Sequence, residues 1–265
     1  MYFITLPFEL LSFQWQAYDL NRPLTEQITP SIKNLENVNY VKRVINKFSL
    51  AISKSPENIR LYELRNLYTY ILWYISPKGE MRFNVIKQGL RFSQETVRKF
   101  PDSPDGWLFK GSFLSFYGLG KGVLNSLYIA KDLIDIFRKS YKLDKTHLCA
   151  QSVLALGTTF YLLPHFPVSF GNTNLAKKYF MEAIIINPNF PYGYVHMAEV
   201  EASEGNIERA LNYLLRLRNI TPTTWFQQFT YKWALKALPA MEKELKKEKW
   251  DKYHFNFFDV PIVSK

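Results

Sequence analysis

Four histidines are the first residues to test for chemistry, and His147, His165, His196 and His254 are scattered without ligand spacing. His196 and Glu199 fall one helical turn apart, yet no second histidine follows as the H-E-x-x-H zinc pattern requires. No metal site is expected. Gly118-Leu119-Gly120-Lys121-Gly122 has the glycines and lysine of a phosphate loop but not the G-x-x-x-x-G-K-[ST] spacing. A helical pattern precedes it rather than a strand, so its amides have no reason to converge on a phosphate, and the turn between two helices is expected there. Cys149, the single cysteine, excludes an internal disulfide and lies between Leu148 and Ala150, which fits a buried thiol rather than a reactive thiolate. No Ser-His-Asp arrangement stands out. These residues point to a protein that is not an enzyme and holds no cofactor.

Charge and aromatic content are the two departures from ordinary composition. The 265 residues carry 34 basic and 23 acidic side chains, a formal charge of +11, while 47% apolar and 22% charged residues are the mark of a folded globular chain. The basic residues are dispersed and mostly near acids, and no nucleic-acid motif is present. Specific nucleic-acid binding is therefore not expected, although the surplus would draw the chain toward an acidic partner or an anionic membrane surface. With 6 Trp, 17 Tyr and 21 Phe, 17% of the chain is aromatic, enough to fill inter-helix space and to line a binding surface as well.

The start, Met1 to Glu9, has no basic region ahead of its apolar residues and is interrupted by Pro7 and Glu9, so no secretory signal or anchor cysteine is read there. A cytoplasmic location follows by default, and a periplasmic one if a leader has been removed. The uncharged run Thr146–Ala176 is broken by Pro164, Pro167 and Gly171, and its smooth part falls short of the roughly 20 residues that cross a bilayer. It reads as a buried helix over Leu148–Leu163 followed by a loop, leaving peripheral contact as the only expected relation to a membrane.

The elements that would position these residues are helices. Apolar residues recur at three and four positions through Val41–Ile52, Leu61–Ile75, Val85–Phe100, Leu124–Leu143, Leu148–Leu163, Leu175–Ile186, Tyr194–Ala202 and Ile207–Leu217, and no period-2 run appears. Breakers follow the helices at regular intervals: Pro56, Pro101, Asp144, Pro188 and Pro222 are separated by 45, 43, 44 and 34 residues. Self-similarity of that size indicates an all-α solenoid of helix pairs, each unable to bury its apolar face alone.

The last unit runs from Pro191 to Pro222, with Tyr194, Met197-Ala198, Gly205, Ala210, Leu214 and Leu217 in order. The preceding unit supplies Leu156-Gly157, Phe160, Ala176, Phe180, Ala183 and Pro188; upstream, Trp107 and Gly111 take the aromatic and small positions, and Phe48, Ala51 and Pro56 close the first unit. Small residues here let paired helices approach, and Gly205 permits a tight turn. Over about residues 38–224 the pattern resembles the tetratricopeptide repeat (TPR) family. The resemblance implies a right-handed α-solenoid of antiparallel helix pairs. The long early units and the Pro164–Asn172 loop before an Ala-x-x-x-Phe helix resemble two subgroups, the T component of tripartite periplasmic transporters and the microtubule-dynamics-regulator type. In both, that loop reads as Pro, a glycine pair and a polar residue; Gly171-Asn172 keeps one glycine. The T-component group is lipid-anchored outside the cytoplasm, and the anchor cysteine is not seen in this chain.

In that family the first helix of each pair faces a concave groove. The register places Arg60, Glu63, Leu67 and Tyr70 in the groove from one unit, and Leu108, Ser112 and Phe116 from the next. Gln151, Leu154, Thr158 and Tyr161 come from the third, and Tyr192, Val195 and Glu199 from the fourth. A lining so apolar and aromatic suits an extended apolar peptide segment or a lipid-like molecule. The implied function is a scaffold or accessory protein holding a protein partner; the alternative is a carrier of a small apolar ligand associated with a transporter. A third reading is that the long helices close the groove and fill it. Residues 1–35 read as an N-terminal cap, 36–224 as the repeats, and 225–265 as a capping helix over Thr224–Lys252 with a tail folding back. Oligomeric state is not legible.

Overall fold

The computed structural model describes residues 32–245. Most of the segment read as an N-terminal cap, the end of the C-terminal helix and the aromatic tail from Tyr253 lie outside the described residues. Twelve helices follow in order: α1 (Ile32–Leu35), α2 (Val38–Lys54), α3 (Ile59–Ile75), α4 (Glu80–Lys99), α5 (Pro104–Lys121), α6 (Val123–Tyr128), α7 (Ala130–Leu143), α8 (His147–Leu162), α9 (Thr173–Ile186), α10 (Pro191–Ser203), α11 (Ile207–Arg218) and α12 (Trp225–Leu245). Among the described residues there is no strand, only an isolated bridge between His165 and Gly171. No described helix is long and apolar enough to cross a membrane.

Local chemistry explains the boundaries. Asn37, Asn58, Ser103 and Asn172 sit just before α2, α3, α5 and α9, and each side chain accepts a backbone N–H of the first turn, at 3.0, 3.1, 2.9 and 2.9 Å. These bonds satisfy donors that a helix start leaves orphaned. Pro104 and Pro191 occupy the first positions of α5 and α10, where a missing N–H costs nothing.

Burial separates inner from outer helices. In α2 the buried residues are Val41, Val44, Ile45, Phe48 and Ile52, and in α11 they are Ala210, Leu214 and Leu217, one stripe apiece. In α10 every residue from Pro191 to Ala202 is buried, and in α3 all from Leu61 to Ile75 except Tyr70. A helix buried all round must have packing partners on every side. Each helix packs on its sequence neighbours, and α3, α5, α8 and α10 form the inner layer. This is an all-α solenoid of paired helices.

Two expected helices differ in detail. The stretch Leu124–Leu143 is broken at Ile129, which has φ −89° and ψ 0° and separates α6 from α7. Ile129 docks on α5 where Gly118 leaves room: a Cβ there would lie 2.5 Å from Ile129 Cδ1. Likewise α5 continues through the glycine-rich stretch to Lys121, so the turn itself shrinks to Gly122 with φ +101°. The second difference is in α8. Leu148, Cys149 and Ala150 have φ of 46°, 60° and 61°, a left-handed turn, and regular right-handed helix starts only at Gln151. Left-handed backbone costs each such residue about 1–2 kcal/mol. All three side chains of the turn are buried.

The ends of the described chain meet. Helix α12 packs on α10, α11 and α1, and Lys232 Nζ lies 2.6 Å from Glu36 Oε1. On its inner side, the rings of Phe229 and Trp233 stand 5.9 and 5.6 Å from that of Tyr74 on α3.

Candidate functional site

All fourteen residues assigned to the concave surface do lie on α3, α5, α8 and α10. Glu63, Leu67, Leu108, Leu154, Tyr161, Tyr192, Val195 and Glu199 are buried; Arg60, Tyr70, Ser112, Phe116, Gln151 and Thr158 are half-buried. Their neighbours are largely each other. Phe116 stacks on Trp73 with centroids 3.8 Å apart and planes 9° from parallel, and the Tyr70 ring stands 6.1 Å from Phe116 and 5.9 Å from Phe109. The Tyr74 and Tyr192 hydroxyls are hydrogen-bonded at 2.9 Å, joining α3 to α10. Burial raises the pKa of Tyr70, Tyr74 and Tyr192 well above the ordinary phenol value. Tyr161 donates to the Glu199 carbonyl at 3.2 Å, and His196 Nδ1 meets the Glu199 carboxylate at 2.7 Å. Thus His196 and Glu199, which share a helical turn in the sequence, form a buried pair within the packed inner layer. Gln151 Nε2 is a buried donor with no acceptor among the described residues. Side chains of the solenoid itself thus pack against one another in the inner layer.

At the other end of the inner helices, where α3, α5 and α8 begin, lies a polar cluster. Arg60 Nη1 meets Glu63 Oε2 at 2.7 Å, and Ser103 Oγ donates to Glu63 Oε1 at 2.8 Å while capping α5. Asp105 is fully buried in the first turn of α5, and His147 Nε2 stands 3.0 Å from its Oδ2. Asp105 Oδ1 has no hydrogen-bond donor among the described residues. Burial, reinforced by the Asp105 charge, pushes the Glu63 carboxyl up to about 7. His147 is pulled down by burial but lifted more by Asp105, Glu63 and Asp144 together, reaching about 9. Asp144, 3.7 Å from His147 Nδ1, has its pKa raised by burial but lowered further by hydrogen bonds from Thr146, so it ends below the usual carboxylate value. The cluster ties three successive units together. Among the described residues, no three His, Cys, Asp or Glu side chains are grouped to hold a metal ion.

Of this cluster the sequence singled out Arg60 and Glu63 and missed Ser103, Asp105 and His147. The readable signal was Ser103-Pro104-Asp105, a cap, a first-turn proline and a first-turn acid directly after a repeat breaker. Cys149, next to the cluster, is buried, and burial pushes its thiol up to about 12.

A different surface is exposed and apolar. Since α5 and α8 are each followed by an antiparallel partner, they run in the same sense and end on the same edge. There Leu124 and Tyr128 of α6 are 81% and 88% exposed, and Phe166 in the loop after α8 is 88% exposed. Leu119, Val168 and Phe170 are exposed beside them in the chain. The loop is held from within: Gly171 N donates to Pro164 O at 2.8 Å, and a Cβ on Gly171 would lie 2.0 Å from Leu163 O. This is the glycine that the loop cannot replace, and Asn172 after it is the cap of α9.

No family model matches the chain, and no curated protein matches it. Among solved structures it is similar to TTC0263, a thermophilic TPR protein in Thermus thermophilus, with a TM-score of 0.55 at 13% identity. That likeness covers 77% of this chain and 95% of the other. Two structures of MamA are similar at TM-scores of 0.45 and 0.42, with 13% and 14% identity. They cover 71% and 65% of this chain and 93% and 78% of their own.

Proposed function

Proceeding from a tetratricopeptide-type solenoid, we propose that the protein is a non-catalytic scaffold that holds a protein partner. The observation that carries this reading is the edge formed by α6 and the loop after α8. There Leu124, Tyr128 and Phe166 stand almost fully in solvent although most of the other described rings are buried. Exposed apolar side chains gathered on one side mark an interaction surface, because leaving them hydrated forfeits about 25 cal/mol for each Å² that a partner would cover. The inner-layer set from Arg60 to Glu199 enters this reading as the packed frame. A partner segment following the inner face would reach it first at the half-buried Tyr70, Ser112, Gln151 and Thr158. The Pro164–Asn172 loop resemblance supports a narrower form, an accessory subunit of a transporter.

The test replaces Leu124, Tyr128 and Phe166 together by Ser. Proteins co-purified with the wild type are identified and each interaction is rebuilt from purified components. The reading expects a rebuilt complex whose affinity drops at least about tenfold in the triple variant, with far-UV circular dichroism unchanged. Rebuilt complexes that all keep full affinity in the variant would refute it.

A further inference from the structure

Helices α2 and α4 both run antiparallel to α3, and between them lies an open trough of about 770 Å³ floored by Leu72. Its walls carry Lys42 on α2 and Lys87 and Arg91, one turn apart, on α4. None of these three cations forms an ion pair with a described residue, although Arg65 reaches Glu95 at 2.7 Å on the same α4 and Lys99 reaches Glu57 at 2.8 Å. The acid of the trough is Glu80, at its end near the start of α4. Asn46 and Gln88 add amide groups, and Met81, 44% exposed, adds an apolar lip.

We propose that this trough binds an acidic linear segment of a partner protein, its carboxylates against Lys42, Lys87 and Arg91 and one apolar side chain against Met81. Charge selects the occupant: three cations against one carboxylate favour an anion, and a guanidinium can take a carboxylate through two parallel N–H···O bonds. The amides suit a peptide backbone, which offers both donors and acceptors. A single-stranded nucleic acid is the poorer match, because such sites stack bases on aromatic rings and no aromatic residue lines the trough. The volume is that of a site for a few residues rather than a whole domain. This goes beyond the apolar edge, since it uses α2 and α4 rather than α6 and the loop after α8.

Fluorescein-labelled decapeptides of Glu, with Leu or Phe placed at each position in turn, are titrated by anisotropy against the wild type and two charge-matched variants. One is Lys87→Glu with Arg91→Glu; the control is Lys131→Glu with Lys139→Glu on α7, both exposed. The expected result is saturable micromolar binding by at least one peptide, weakened about 100-fold in the trough variant, from about tenfold per lost charge-assisted contact. The control should change less than about threefold, as for a general charge effect. Absence of saturable binding, or equal weakening in both variants, would overturn the proposal. So would a single-stranded oligonucleotide that binds more tightly than every peptide and is lost in the trough variant alone. Complexes formed through the apolar edge are scored by the separate serine variant, so either reading can fail without the other.

Discussion

Phe180 of α9 lies flat against Gly157 of α8: a Cβ built on the glycine would stand 2.4 Å from the ring's Cε1, and the ring is fully buried. The same relation recurs one unit earlier, where a Cβ on Gly111 would stand 2.4 Å from Phe137. An aromatic of the second helix thus occupies the volume that a missing side chain leaves on the first.

Gly157→Ala should therefore destabilise the protein by about 1–3 kcal/mol through overpacking, even though alanine is the better helix former. Urea denaturation measures it. Combining the change with Phe180→Leu should give less than the sum of the single effects, because the smaller side chain frees the space the methyl needs.

Part of the signal for these pairs was in the sequence. Gly157, Phe180, Gly111 and the prolines between units stood in the repeat register, because size and backbone geometry act locally. Phe137 was not singled out, and the facing of each glycine by a ring is seen only in the structure. The placement of Arg60 to Glu199 on inner helices followed from the same register. The contacts that pack the inner layer did not, because they depend on Tyr74 meeting Tyr192 and on α12 bringing Phe229 and Trp233 back to α3. Nor did the left-handed turn, since Leu148-Cys149-Ala150 contains no glycine or asparagine to announce it. Exposure of Tyr128 and Phe166 was equally hidden, because composition counts rings without saying which ones lack a neighbour.

Stability should fall as pH rises from about 5 to 9. Glu63 has its carboxyl raised from 4.5 to about 7, so the folded state holds a proton the unfolded chain has released, and that stabilisation disappears as pH climbs through 7. His147, raised from 6.5 to about 9, loses its contribution over the next interval. Thermal melts across this range should show two successive declines. Glu63→Gln should abolish the lower one and leave the upper, and His147→Gln should do the reverse.

Gln227 is a buried hub at the start of α12. Its Oε1 accepts from Thr223 N at 2.7 Å, Thr223 Oγ1 at 2.9 Å and Thr224 N at 3.0 Å, while Nε2 donates to Asn187 Oδ1 at 2.9 Å. Gln227→Ala should cost about 2–4 kcal/mol, since several buried groups lose their partners together. Hydrogen exchange should rise first in α12.

Cys149 should be inert in the native protein. With its thiol pushed up to about 12 by burial, its reaction with a disulfide reagent at pH 8 should be at least about a thousandfold slower than in urea. A fast native reaction would mean that the turn at Leu148–Ala150 opens readily.

The contact between Lys232 and Glu36 changes how the molecule should come apart. In an open stack, terminal units fray one at a time and a pull on the two ends peels it in steps. Here the last described helix packs on the first as well as on α10 and α11, so the two ends of the described residues should loosen together. Stretched between residues 32 and 245, the protein should resist and then give way in a single rupture, like a belt released at its buckle.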